Sequence, residues 1–124
     1  MTFDTLRGFC LSFPGTAEKM PFNESTLVFT VGGKMFCLTD IQTCETVNLK
    51  CDPEQAVLLR AQYEEVQPGY HMNKRHWNTI SLTGRLRDAQ IQEWIAKSYQ
   101  LVFKSLPKAQ RERIIALRPE EKEA

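Results

Sequence analysis

The chain has 124 residues, a formal net charge of +1, 42% hydrophobic residues and 25% charged residues. Those values suit one globular domain with its own core, and they exclude a disordered, collagen-like or uniformly basic chain. No apolar run approaches the ~20 residues that a bilayer-spanning helix needs. Met1-Thr2-Phe3-Asp4 begins without a basic stretch leading into an apolar one. The expectation is a cytoplasmic protein with no membrane partner.

Taken in chain order, residues 2–13 predict a first helix. Thr2 can cap it, and Phe3, Leu6, Phe9, Cys10 and Phe13 recur at helical steps as one apolar stripe. Pro14-Gly15 ends the helix, and the stretch to Ser25 has no clear period and reads as a loop. Residues 26–31 and 34–39 are rich in β-branched and aromatic types and flank Gly32-Gly33. Glycine tolerates the positive φ of tight hairpin turns, so a β-hairpin is predicted. A third strand over residues 46–51 alternates Val47, Leu49 and Cys51 with Thr46, Asn48 and Lys50.

Asp52-Pro53-Glu54-Gln55 opens a second helix, with Asp52 as cap, Pro53 at the first helical position and Glu54 at the positive dipole end. Ala56, Leu59, Tyr63 and Val66 form its apolar line, and Pro68-Gly69 stops it. Residues 70–82 return to sheet as two strands broken near Asn73. From about Asp88 to Leu106, the apolar positions Ile91, Trp94, Ile95, Leu101 and Val102 mark a long amphipathic helix. Pro107 breaks it and starts a last helix to about Leu117. Residues 119–124 form a charged tail after a domain of residues 1–118. The order α-β-β-β-α-β-β-α-α predicts an α+β, two-layer fold, an antiparallel sheet with helices on one face.

The four cysteines, Cys10, Cys37, Cys44 and Cys51, form no C-x-x-C pair, so reduced packing thiols are expected. His71 and His76 can complete a zinc set on paper, but the closely spaced cysteine pairs of a structural site are missing. No metal and no cofactor are predicted. The chain carries no glycine-rich phosphate loop, no G-x-S-x-G elbow and no H-E-x-x-H. A catalytic role is therefore not expected.

Charge is unevenly spread. Residues 1–70 carry a net −4, residues 71–118 a net +7, and the tail a net −2. The densest segment, residues 68–78, collects Tyr70, His71, Lys74, Arg75, His76 and Trp77 in one turn region. Basic side chains supply phosphate contacts and flat rings supply stacking surfaces. The competing reading of each is plainer: Trp77 and Tyr70 as core residues, the histidines as polar edge residues, Lys74 and Arg75 as solvated charges. A second basic stripe runs through Lys97, Lys104, Lys108, Arg111 and Arg118, with Pro107 interrupting its axis.

Five segments resemble, in this order, the MmcQ/YjbR family over about residues 3–107. They are Pro14-Gly15-Thr16-Ala17-Glu18, Pro21-Phe22, Gly32-Gly33-Lys34-Met35-Phe36, Lys74-Arg75-His76-Trp77-Asn78 and Ser98-Tyr99-x-Leu101-Val102. The resemblance implies a compact two-layer α+β fold, similar to frataxin-like and secretion-chaperone-like folds. It also implies DNA binding through a double-wing motif. The wings would be the hairpin at Gly32-Gly33, carrying only Lys34, and the turn from Asn73 to Arg75.

The expected function is non-enzymatic DNA binding with weak sequence preference. Lys74, Arg75 and His76, with Lys104, Lys108 and Arg111, would meet phosphates. The alternatives are a protein-interaction adaptor, or a pocket for a small anionic ligand lined by His71 and Trp77. Geometry separates them: a shared basic surface favours DNA, scattered cations favour the adaptor, and a deep cavity at His71, His76 and Trp77 favours the ligand.

Overall fold

A computed structural model describes residues 1–117; Arg118 and the tail at 119–124 lie outside the described residues. The chain runs α1 (Phe3–Leu11), β1 (Thr16–Lys19), β2 (Thr26–Val31), β3 (Lys34–Asp40), β4 (Thr46–Lys50), α2 (Pro53–Gln62), β5 (Val66–Pro68), β6 (Trp77–Ser81), α3 (Asp88–Lys104) and α4 (Lys108–Ile115). The strands form one six-stranded sheet in the order β1-β2-β3-β4-β6-β5. Every neighbouring pair is antiparallel. The α+β class, the antiparallel sheet and the one-sided helix layer are as expected. No helix among the described residues is long and apolar enough to cross a membrane.

Local signals start the helices where the sequence suggests. The Thr2 hydroxyl accepts the Thr5 amide at 3.1 Å, and the Asp52 carboxylate accepts the Gln55 amide at 3.4 Å with Pro53 in the first turn. Leu6 and Cys10 of α1, Leu59 of α2 and Ile91, Ile95 and Val102 of α3 then pack onto Phe29, Val47, Leu49 and Ile80 of the sheet. At the β2–β3 pairing, Phe29 faces Cys37 and Thr30 faces Met35, leaving Phe36 as the extra residue of a β-bulge. Phe36 and Cys37 consequently both join the helix-side core.

Three local readings change. Residues 16–19 are a strand, not loop: a four-residue edge strand has too few alternations to show a period, and its pairing to β2 decides its conformation. Helix α2 ends at Gln62, so Val66 belongs to β5 rather than to the helical stripe. The partner of β6 is β5 at residues 66–68, an edge position where Pro68 costs no inner ladder bond.

Helix α3 is fastened to the sheet by polar pins. The buried Ser98 hydroxyl donates to the Phe36 carbonyl at 2.6 Å and accepts the Lys50 amide at 2.9 Å. The Tyr99 hydroxyl donates to the Pro14 carbonyl at 2.6 Å, and burial pushes its pKa up to about 12. Its ring stacks on Phe13 with centroids 4.6 Å apart. Among the described residues, the opposite face of the sheet carries a small apolar cluster, Val28, Leu38 and Trp77, against which Met35 and Met72 pack.

A candidate nucleic-acid interface at one end of the sheet

Antiparallel pairing determines which turns share an end. The β2–β3 hairpin sits where β3 begins. Cys37 pairs with Leu49, so β4 ends there too, and Lys50 pairs with Trp77, so β6 begins there. Gly32-Gly33 and the loop at residues 69–76 therefore project from the same end, about 10 Å apart across two strand spacings. Helix α4 meets the first of them: Gln110 donates its side-chain amide to the Gly32 carbonyl at 3.2 Å.

The hairpin turn needs its glycines for different reasons. Both have positive φ, +58° at Gly32 and +82° at Gly33, as a type I′ turn demands. A Cβ on Gly32 would also lie 2.7 Å from both Leu106 and Gln110, whereas one on Gly33 would meet nothing within 4 Å. Gly32 is the seat of the helix junction; Gly33 serves the turn alone.

The second loop is organised by Arg60, which sequence reasoning missed. Its guanidinium donates to the Asn78 side-chain oxygen at 2.7 Å, to the Trp77 carbonyl at 3.3 Å and to the Lys74 carbonyl. Asn78 is 1% exposed and donates its amide to the Ala56 carbonyl at 3.3 Å. Within the loop, the Asn73 side chain accepts the Arg75 amide at 2.9 Å, and Gly69 donates to the Trp77 carbonyl at 2.9 Å. No signal in the sequence could have linked Arg60, on a helix, to carbonyls 14 and 17 positions on.

The predicted site residues divide unevenly. Lys74 and Arg75 are exposed, and the Lys74 ammonium donates back to the Gly69 carbonyl at 3.1 Å. Arg75 and Lys104 form no ion pair among the described residues. Lys108 faces Glu112 at 4.0 Å and Lys97 faces Glu93 at 3.4 Å, one helical turn apart in each case. Arg111 is half-buried, and its Nε is buried without a hydrogen-bond partner among the described residues. His76 is half-buried, its carbonyl accepting the Cys51 amide at 2.7 Å.

The aromatic positions separate. Trp77 is 7% exposed and belongs to the open-face cluster, so it is a core residue and not a stacking platform. Tyr70 is 69% exposed and lies against the His71 ring at 4.0 Å, with His71 at φ +60°. A left-handed conformation is uncommon and strained for a residue other than glycine. A cavity opens between α2 and α3, lined by residues that include Leu59, Asn78 and Trp94. The Trp77 indole packs into the open-face cluster on the other side of the sheet. Among the described residues, no group of three or more His, Cys, Asp or Glu side chains converges as a metal site would require.

Fold and site define a class: a two-layer α+β domain presenting two turns and a helix junction, all with basic side chains, at one end of a sheet. The YjbR family model matches residues 11–101, and the chain belongs to that family. It is 33% identical over 118 residues to YjbR of Escherichia coli K12, covering 94% of this chain and 100% of that protein. It is 32% identical to YbdF of Escherichia coli O157:H7, covering 90% of this chain and 92% of the relative. Among solved structures, a Deinococcus radiodurans protein of the DUF419 domain superposes with a TM-score of 0.83 at 39% identity, covering 91% of this chain and 87% of that one. A Pseudomonas syringae protein superposes with a TM-score of 0.69 at 26% identity, covering 82% and 99%.

Proposed function

We propose that this chain is a non-enzymatic, cytoplasmic DNA-binding protein that grips phosphates with the basic end of its sheet. One observation supports the reading: strand pairing puts the turns that carry Lys34 and Lys74-Arg75 at one end of the sheet, and Gln110 of α4 reaches the first of them. Arg75 and Lys104 have no ion pair among the described residues, and the exposed Lys74 and Lys108 would each give up one surface contact for a phosphate. Lys74 and Arg75 meet the backbone from one wing, and Lys104, Lys108 and Arg111 meet it from the helix junction. The exposed Tyr70 ring offers a stacking surface in the same loop. The contacts proposed are to phosphates and not to base edges, so sequence preference is weak.

The test is anisotropy of labelled duplex DNA titrated at several salt concentrations, with wild type beside a Lys74→Ala/Arg75→Ala variant. Log affinity should fall linearly with log salt, and the variant's slope should be shallower by about 0.9 for each phosphate that is no longer neutralised. Absence of binding at low salt, or an unchanged slope in the variant, removes the reading.

A further inference from the structure

We propose that the cavity between α2 and α3 is a binding site for a small uncharged ring compound with one hydrogen-bonding group, about the size of phenol. The cavity holds about 150 Å³. Its walls are apolar, supplied by Leu49, Leu59, Ile80, Trp94 and Leu101. Protein interiors are packed to crystal density, and an apolar void of roughly this volume accepts one benzene-sized molecule. Asn78, the buried polar side chain of the lining, already accepts from Arg60 and donates to the Ala56 carbonyl. Water would therefore find few partners inside, and an apolar ring suits the walls better.

The mouth decides the other end of the ligand. Asp52, Gln55 and Lys97 surround it. The Asp52 carboxylate caps α2 by accepting the Gln55 backbone amide at 3.4 Å, and the Lys97 ammonium lies 3.4 Å from Glu93. A net charge on the ligand would meet one attractive and one repulsive neighbour, both already matched. A hydroxyl can exchange hydrogen bonds with the Gln55 side-chain amide without disturbing either. The site owes nothing to the DNA reading and stands or falls without it.

Two residues of the site report on its occupancy. Trp94 is in the wall, and Cys51 is half-buried at the mouth, where burial and the nearby Asp52 raise its thiol pKa. Cys10 and Cys37 are buried, so a Cys44→Ser background leaves Cys51 as the reactive thiol. In that background, phenol is titrated at about pH 8, where phenol is neutral and benzylammonium is still charged, while iodoacetamide labelling of Cys51 and tryptophan fluorescence are followed. Saturable protection is expected, reaching about tenfold at ten times Kd. Benzoate and benzylammonium, which share the ring, should bind about tenfold more weakly. Leu101→Phe, which fills the cavity from its partly exposed side, should abolish protection while circular dichroism is unchanged. If that variant does not fold, Gln55→Leu at the exposed rim should erase phenol's advantage over toluene. The site is overturned by the lack of saturable protection, by protection that survives both variants, or by benzoate binding as well as phenol.

Discussion

The two ends of the sheet carry opposite charge and use it differently. At the end holding the β3–β4 turn and the start of β5, acidic groups are occupied locally. The Asp40 carboxylate accepts the Gln42 amide at 2.8 Å and the Thr43 amide at 3.2 Å, closing its own turn. Glu65 accepts the Arg85 amide at 3.1 Å, and backbone donors hold its pKa below the ordinary carboxylate value. Asp88 sits 3.4 Å from the N-terminal ammonium, and Glu64 sits 3.4 Å from Arg85. At the hairpin end, Arg75 and Lys104 have no ion pair among the described residues. The contrast teaches that sign alone is uninformative. Charges that complete turns and caps are part of the fold, and charges left over are available to a partner.

Reversing the two exposed charges of the second loop should have the largest effect. Lys74→Glu/Arg75→Glu should weaken duplex DNA binding by about 100-fold at low salt, measured by anisotropy. Arg85→Glu/Arg87→Glu at the other end should change it by less than about twofold. Equal losses at both ends would break the comparison, because they would report only net charge.

Removing the Arg60 anchor should come next. Arg60→Ala leaves the Asn78 oxygen buried without its charged donor and releases two loop carbonyls. The expected cost is about 2 kcal/mol in urea unfolding, with faster amide exchange confined to residues 69–76. Uniformly faster exchange would mean that Arg60 supports the whole sheet and not the loop.

The paired glycines sharpen the same end further. Gly33→Ala should cost about 1 kcal/mol, the strain of a positive φ alone. Gly32→Ala adds the clash with Leu106 and Gln110 and should cost about 1 kcal/mol more, read from thermal melts. Equal costs would show that the hairpin does not rest on α4.

The smallest effect belongs to the edge strand. Arg7 donates to both oxygens of Glu18, at 2.7 and 2.6 Å, and lowers its pKa from the ordinary 4.5. Because the folded value is depressed, the added stability is present above pH 4.5 and is lost as pH falls through the lowered value. Both side chains are partly solvated, so the loss is about 0.5 kcal/mol. Denaturation midpoints between pH 6 and pH 3 should show it, and Arg7→Ala should remove that component.

Most of the fold was legible because it is written locally. Thr2 and Asp52 cap helices within their own first turns, and Gly32-Gly33 builds its turn from its own dihedrals. Residues 16–19 and 66–68 were not legible, because edge strands this short take their conformation from the strand they join. Val66 was misplaced for a related reason. It follows Tyr63 at a helical step, and periodicity cannot tell a continuing helix from a buried strand residue just beyond it. Within the candidate site, Lys74 and Arg75 stood out by charge, but the burial of Trp77 and the exposure of Tyr70 could not be separated by residue type.

By itself, then, the sequence determined the capped helices, the glycine hairpin, the strand alternation and the charge imbalance between its halves. Each depends on residues within a few positions of one another, where spacing is nearly geometry. The tertiary structure alone decided that the Gly32-Gly33 turn and the loop at residues 69–76 face one end, that Arg60 holds that loop, and that a cavity lies between α2 and α3. Those facts join residues such as Gly32 and Gln110, 78 positions apart. Only the completed antiparallel ladder brings them within hydrogen-bonding reach.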